Sequence, residues 1–553
     1  MQNVIIKQYN TGYIYRTGVN GTFGISSRQP ADSFSFTLDG YSPVKMLVHA
    51  DQYVRVKMRP TRTGNSHLPR NRLSSFTRDL GREEQKAWFT GDETYASLVE
   101  NRFLSARQFP ATGMSLNVDR ASYSNIRRFI TMNSQVPPDA VRAEEMLNYF
   151  NLNYDPPAGN DMFLLNTTLT QCPWNPANQL MYINMSARKL NLDTLPPCNL
   201  VFLIDVSGSM DMPNRLPLLQ SAFRLLVHNL REKDSVAIVV YGGITGILLS
   251  PTSGAEKDKI MKVIDELIPG GSTPGEAGIK LAYQVARRHF IKGGNNRVIL
   301  ATDGDFNVGL KTDAELEEMI SVHRESGVYL TCLGVGMGNF KDSKIHLLAE
   351  RGNGNYAYID NFREAEKVLL QEFTQTLYSV ADDVYMHVTF NPSLVKQYRL
   401  IGFDNKVGAI RDTAAVMEGG EIGSGHALMA MFELEPTEQN RQAVADSQYA
   451  GQVAEVKIQY RLPGDTLLRY YTKPAAFAYK PFASLQKCYH FSAAVALFGS
   501  LLRHSPHTRN SNWTDISLLA EPAAASSGDL LQREFLNLVE KARLLYTKNK
   551  KKK

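Results

Sequence analysis

Two apolar runs, residues 200–204 and 298–300, each end in an oxygen-rich loop, and this pairing limits the fold more than any other feature of the chain. Unbroken runs of Val, Ile and Leu read as parallel strands buried on both faces. The first leads into Asp205-Val-Ser-Gly-Ser and the second into Ala301-Thr-Asp-Gly-Asp, while Thr273 lies between them in Gly-Gly-Ser-Thr-Pro. Loops at the carboxyl ends of parallel strands border the crevice where open α/β sheets hold ligands. Asp205, Ser207, Ser209, Thr273 and Asp303 are therefore the candidate donors of a five-oxygen cage for one cation.

The donor types narrow the cation. Hydroxyls and carboxylates with no nearby His or Cys are hard ligands that suit Mg²⁺, Mn²⁺ or Ca²⁺ over Zn²⁺ or Cu²⁺. Two carboxylates leave a dication electrophilic, with a coordination position open to a carboxylate from a partner protein. The competing reading is a polar strand-to-helix turn in which Ser207 or Ser209 caps the next helix. Thr273 and Asp303, in later loops, favour the cage.

The pattern around these loops alternates strand and helix. Residues 199–205, 297–302, 328–335 and 355–359 read as strands, and 235–241 with 244–250 as a hairpin around Gly242 and Gly243. Residues 216–230 carry Leu219, Phe223, Leu226 and Leu230 on one helical stripe. Further helices are expected at 255–267, 275–290, 313–325, 341–350 and 364–380. Such alternation predicts a doubly wound α/β domain of ordinary size.

The segment resembles a von Willebrand factor type A domain, and Asp205, Ser207, Ser209, Thr273 and Asp303 match the metal-ion-dependent adhesion site of that family. The resemblance implies that Ser207 and Ser209 bind the ion directly, Thr273 directly or through water, and Asp205 and Asp303 largely through water.

Flanking motifs extend the resemblance. Ser115-Leu-Asn-Val-Asp-Arg-Ala-Ser-Tyr-Ser-Asn-Ile-Arg-Arg-Phe and Pro138-Asp-Ala-Val-Arg-Ala-Glu-Glu-Met-Leu-Asn-Tyr-Phe resemble the amino-terminal block of YfbK-like bacterial von Willebrand proteins, with Asn117 where an acidic residue is expected. Gly402-Phe-Asp-Asn-Lys, Gly419-Gly-Glu-Ile-Gly-Ser-Gly-His-Ala and Phe491-Ser-Ala-Ala-Val-Ala-Leu-Phe-Gly resemble its carboxyl-terminal block, so the resemblance covers about residues 90–547. In the first block, a strand at 114–118 precedes a helix capped by Asp119 or Ser122 and running to about Thr131. Pro137 and Pro138 open a second helix carrying Val141, Met146, Leu147 and Phe150.

Strands at 163–170, 181–187, 384–390, 398–403, 425–434, 453–460 and 467–471 bracket the α/β segment and suggest a β-sandwich into which it is inserted. Residues 484–504 and 527–547 read as amphipathic helices, the first apolar at Phe491, Val495, Phe498 and Leu502. Near the start, Phe34, Phe36 and Leu38 alternate before an Asp39-Gly40 turn, with strands at 44–50 and 54–58. This resembles the later strands of a carboxypeptidase regulatory-like domain, frequent in envelope proteins. Its opening strands are missing, so a truncated start or an incomplete unit is expected.

The expected organisation is a partial β unit at 1–60, a basic linker at 61–110, the amino-terminal block with the first sandwich strands at 111–198, the von Willebrand domain at 199–380, sandwich completion at 381–475, a helical block at 476–547 and a lysine tail at 548–553. With 43% hydrophobic and 21% charged residues the composition is that of ordinary globular protein. Five of the six net positive charges stand in the lysine run at 548 and 550–553, a pattern that reads as a solvated end, and no nucleic-acid partner is expected. Cys172, Cys198, Cys332 and Cys488 show no metal spacing, and Cys172 and Cys198 can pair. No eighteen-residue apolar run and no signal-peptide core is present, so membrane association would need a signal or lipid anchor ahead of the chain.

Catalytic motifs are lacking: there is no GxxxxGK[ST], HExxH or GxSxG. Gly334-Val-Gly-Met-Gly reads as a structural turn, His426 near Glu421 has no paired nucleophile, and Asp305 orients its loop or acts as a base beside a metal-bound water. The reading is therefore a non-enzymatic, metal-dependent protein-binding module on a periplasmic or cell-envelope scaffold. The alternatives are an intracellular adaptor acting with an AAA+ ATPase and a metal-dependent hydrolase.

Overall fold

A computed structural model of the chain describes residues 4–9, 14–17, 25, 30–38, 41–49, 54–59, 93–152, 154–191, 195–243, 245–271, 275–304, 320, 326–337, 340–372, 375, 378–404, 419–445, 450–527 and 529–548. Thr273, Asp305, the Asp39-Gly40 turn, nearly all of the helix expected at 313–325, the basic stretch 60–92 and the end of the lysine tail lie outside them. The chain divides into two compact units, Met1–Lys86 and Ala87–Lys553.

In the first unit, β1 (Ile5–Gln8), β2 (Ile14–Arg16), β3 (Ala31–Thr37) and β4 (Val44–His49) form an antiparallel sheet in the order β2-β1-β3-β4. Two of these strands, β1 and β2, precede the region where strands were expected. Ile6, Phe34 and Phe36 alternate into a small core, against which Val56 and Met58 pack without belonging to a strand.

The second unit begins earlier than the expected linker allows. Glu93 is ion-paired to Arg128, Asn101 donates to the carbonyls of Leu400 and Gly402, and β5 (Leu104–Ser105) pairs with a later strand. Residues 93–110 are thus bound into the fold by long-range partners that composition does not reveal. β6 (Ala111–Ser115) leads into α1 (Ala121–Thr131). Neither expected cap acts there: Arg120 is the N-cap without a side-chain bond, while Asp119 accepts from the Tyr356 amide and Ser122 Oγ bridges Ala140 O and Arg142 N. The helix expected after Pro137 breaks into a 3₁₀ turn, Pro138–Ala140, and α2 (Ala143–Leu147), because Val141 is extended. Strands β7 (Phe163–Gln171) and β8 (Gln179–Ala187) follow.

The α/β segment comprises β9 (Cys198–Asp205), α3 (Leu216–His228), β10 (Ser235–Tyr241), β11 (Gly246–Ser253), α4 (Lys257–Asp265), α5 (Gly275–Arg288), β12 (Asn295–Thr302), β13 (Tyr329–Gly334), α6 (Asp342–Arg351), β14 (Tyr356–Tyr358) and α7 (Phe362–Glu366). Its sheet runs β11-β10-β9-β12-β13-β14, parallel except for β11. Both faces of β9 are buried. Leu200, Phe202 and Ile204 pack with Leu219, Phe223 and Ile260 on one side, and Val201 and Leu203 with Ile279 and Tyr283 on the other. That double burial explains the unbroken apolar run and makes the sheet doubly wound.

The helix expected to reach residue 380 stops sooner. After α7 one π-helical turn spans Lys367–Gln371, and from Ser379 the chain is strand β15 (Ser379–Phe390), whose Val380, Ala381 and Val384 enter a different core. Beyond it run β16 (Val395–Ile401), β17 (Gly420–Gly423), β18 (Ala427–Pro436), α8 (Glu438–Ala445), β19 (Gln452–Arg461), β20 (Arg469–Ala476) and β21 (Tyr479–Lys480). They complete two sheets, β17-β15-β19-β20 with β6 on β15, and β21-β7-β8-β18-β16-β5. Met114, Ile183, Met386 and Ile458 from both sheets share one apolar core, so strands from before and after the α/β segment close on each other.

A third layer lies outside the second sheet. Leu180, Tyr182, Met429 and Met431 point away from the shared core and pack against α9 (Lys487–Leu502), α10 (Trp513–Ser527) and α11 (Leu530–Lys548). α9 is consequently buried nearly all round, not amphipathic as expected, and α10 was not foreseen.

Candidate metal centre at the sheet edge

The strand order places the site. β10 and β12 flank β9 on opposite sides, so the order of strand addition reverses beside β9, the place where open α/β sheets form a crevice beyond the carboxyl ends. Asp205 is the last residue of β9 and Asp303 follows the last residue of β12. Both are almost fully buried, at 1% and 0% exposure.

Asp205 is held from three sides. Its Oδ1 accepts the Ser207 amide at 2.9 Å, and its Oδ2 accepts Tyr241 Oη at 3.1 Å and Thr302 Oγ1 at 3.0 Å. Burial pushes its carboxyl above the ordinary range, against the hydrogen bonds from Ser207 and with Asp303 adding to the rise. The hydroxyls of Ser207 and Ser209 stand 3.0 Å apart. Octahedral Mg²⁺, with Mg–O of 2.0–2.1 Å, places adjacent oxygens about 2.9 Å apart, so the two hydroxyls already have the spacing of one edge. The donor set fits a hard divalent ion, which Ser207, Ser209, Asp205 and Asp303 would hold.

Backbone packing fixes these loops. A Cβ on Gly242 would sit 2.2 Å from the Ser207 nitrogen, and one on Gly271 would sit 2.3 Å from Gly243 Cα. Both glycines have positive φ, 112° and 82°. Gly208 N donates to Gly271 O at 3.2 Å, which ties the loop just before Thr273 to the Asp-x-Ser-x-Ser turn.

One contributor escaped the sequence reading. Arg215, the N-cap residue of α3, reaches back so that Nη1 donates to Asp303 Oδ2 and to Ser209 O, both at 2.5 Å, and Nη2 to Met337 O at 2.9 Å. Nothing in sequence distinguishes it from a surface cation ahead of an apolar helix. Beside this crevice a groove of about 590 Å³ opens between α1, the loop at Met337 and α11, with Arg128, Met132, Pro213 and Lys541 on its walls.

Two other polar groups form only in three dimensions. Ligand atoms of Asp119, Glu145 and His346 lie within 4.8 Å of one another, yet Glu145 accepts from Ser122 N and Arg142 Nε, and Asp119 accepts from Tyr356 N, with His346 Nδ1 2.9 Å from its Oδ2. His426 and Glu421 line a cavity of about 50 Å³ beside Thr331 and Tyr356. Burial and the charge of Arg120 push the His426 imidazole down to about 3. All four cysteines are free: Cys172 and Cys198 lie in separate cores, and Cys198 Sγ meets Tyr378 Oη at 2.9 Å. Among the described residues no helix is long and apolar enough to cross a membrane.

Comparison with known proteins agrees with this architecture. The von Willebrand factor type A domain model matches residues 199–375, a von Willebrand factor model matches 90–182, and a model described as the C-terminal region of uncharacterized protein YfbK matches 375–545. A solved von Willebrand factor type A structure from Catenulispora acidiphila is 12% identical, covers 65% of this chain and 89% of its own, and superposes with a TM-score of 0.39. The ArnB paralog VWA2 from Sulfolobus acidocaldarius is also 12% identical, covers 70% and 98%, and gives 0.34. The uncharacterized protein YfbK of Escherichia coli strain K12 is 38% identical over 473 residues, 82% of this chain and 81% of its own length. With that identity across the inserted domain and both flanking blocks, this chain belongs to the YfbK family of von Willebrand factor type A domain proteins.

Proposed function

We propose that the crevice at the ends of β9 and β12 holds one Mg²⁺-class ion and that the ion recruits an acidic side chain of a protein partner. The observation that carries the reading is the meeting of Asp205, Ser207, Ser209 and Asp303 at the switch point, with the two hydroxyls 3.0 Å apart. Thr273 is the proposed fifth ligand. Two carboxylates neutralise the dication only formally, and a carboxylate from outside completes its shell without any bond being broken. The groove beside the crevice gives the partner a surface of mixed character, with Met132, Pro213 and Leu538 beside Lys541, Asp360 and Glu534. The frame is proposed to act on a periplasmic or cell-envelope scaffold, as a binding module and not an enzyme.

Calorimetry with Mg²⁺ and Mn²⁺ on the wild type and Asp205→Ala, with thermal melts alongside, tests the metal. Saturable binding that disappears in the variant while the melt is retained supports the reading. No binding by the wild type overturns it. A pull-down with and without chelator then reads the partner, whose retention must require the metal.

A further inference from the structure

Arg215 does not belong to the oxygen cage, yet it donates directly to one of its carboxylates. Its side chain is 7% exposed, and the guanidinium donates to the Asp303 carboxylate and to the carbonyls of Ser209 and Met337. It therefore ties together the three loops that follow β9, β12 and β13. The path is cleared by Gly336, with φ of 80°, where a Cβ would fall 2.6 Å from Arg215 Nε. A surface cation needs no such accommodation.

The charge balance gives this contact a consequence. Asp205 and Asp303 place two negative charges in a buried crevice, and such charges require compensation. Arg215 supplies one positive charge directly on Asp303. An ion arriving at Ser207 and Ser209 finds Asp205 held, among the described residues, by neutral donors, but Asp303 already ion-paired. Counted over the described residues, the loaded crevice has two carboxylates, one guanidinium and a dication, one positive charge in excess. A single carboxylate from outside brings it to neutrality.

We infer that Arg215 is a resident counter-cation of this crevice: it holds the three loops together when no metal is bound, and it weakens binding of a divalent ion by itself so that firm occupation requires the partner's carboxylate. The inference rests on the metal reading given above. It names the residue that sets the affinity of the site and makes metal and partner bind cooperatively, each strengthening the other by the same factor.

The test uses the full chain with Mn²⁺ as the probe. Calorimetry is run on the wild type, Arg215→Met and Arg215→Lys, with thermal melts in chelator and in saturating Mn²⁺. Arg215→Met, which removes the charge, is expected to bind Mn²⁺ at least about tenfold more tightly, the effect of a unit charge on a dication a few ångströms away even at the dielectric of water. In chelator it melts below the wild type, and Mn²⁺ restores most of the difference. Arg215→Lys keeps the charge but cannot span three acceptors, so it melts lower in chelator while its Mn²⁺ affinity stays within about threefold of wild type. Equal or weaker Mn²⁺ binding by Arg215→Met overturns the inference and leaves the metal site standing. If Arg215→Met does not fold, tighter binding by Arg215→Lys overturns it, since charge is then not the cause. Absence of Mn²⁺ binding in the wild type and both variants removes the metal reading itself.

Discussion

At the scale of single residues, burial decides what a charge does. Glu421 on β17 lies 3.6 Å from Arg297, yet burial outweighs that partner, and with Asp382 and Asp383 nearby its carboxyl is pushed up to about 8. The ordinary value is 4.5, so its contribution to stability is complete below that pH and is lost as pH rises through about 8. His426 works in the other direction, because an imidazole held near 3 costs stability as pH falls from 6.5. Between pH 6.5 and 8 the Glu421 effect is the one of the two that changes. The melting temperature of the wild type is expected to fall across that window and that of Glu421→Gln to stay nearly level; parallel slopes would count against the assignment. Neither residue could be placed from sequence, where a Glu and a His five positions apart in a Gly-rich loop carry no sign of the small cavity between two sheets.

At the scale of elements, the candidate crevice depends in part on loops that touch backbone to backbone. Gly242 and Gly271 stand where a Cβ meets main-chain atoms, while Gly246, on the adjoining strand, has nothing within 4 Å of the position a Cβ would take. Gly242→Ala is expected to destabilise the protein by roughly 1–3 kcal/mol through overpacking and to weaken Mn²⁺ binding by displacing Ser207. Gly246→Ala serves as the control, with denaturant melts unchanged within about 0.5 kcal/mol. The hairpin around Gly242 was legible because two β-rich runs flank a pair of glycines. The need for glycine there was not, since it comes from Ser207, far away in the chain.

For the whole second unit, α1 is the point where its parts meet. Arg127 on α1 pairs with Asp360 and Glu364 beside β14 and α7 of the inserted domain, and with Glu534 on α11 of the helical layer. Breaking a buried ion network leaves uncompensated charges, so Arg127→Ala is expected to cost about 3–5 kcal/mol in a denaturant melt. If the loss were confined to the inserted domain, two transitions would replace one. The flanking blocks thus fix the inserted domain relative to the sandwich, which a freely tethered domain would not allow.

The sequence by itself determined the α/β segment and placed Asp205, Ser207, Ser209 and Asp303 at one edge of its sheet. An apolar run buried on both faces, as in β9 and β12, has one plausible setting, and the residue after it must stand at the sheet's carboxyl edge. Strand β15 and helix α9 show where this stops. The stretch near 380 was read as helix because its local pattern continues one, but the shared core of the two sheets claims it as strand. α9 was read as amphipathic from the stripe Phe491, Val495, Phe498 and Leu502, but partners on its other sides bury the small residues between them as well. Only the tertiary structure could bring Arg215 to Asp303, since that contact depends on three loops ending at one edge and on a glycine, distant in sequence, that leaves the guanidinium room to pass.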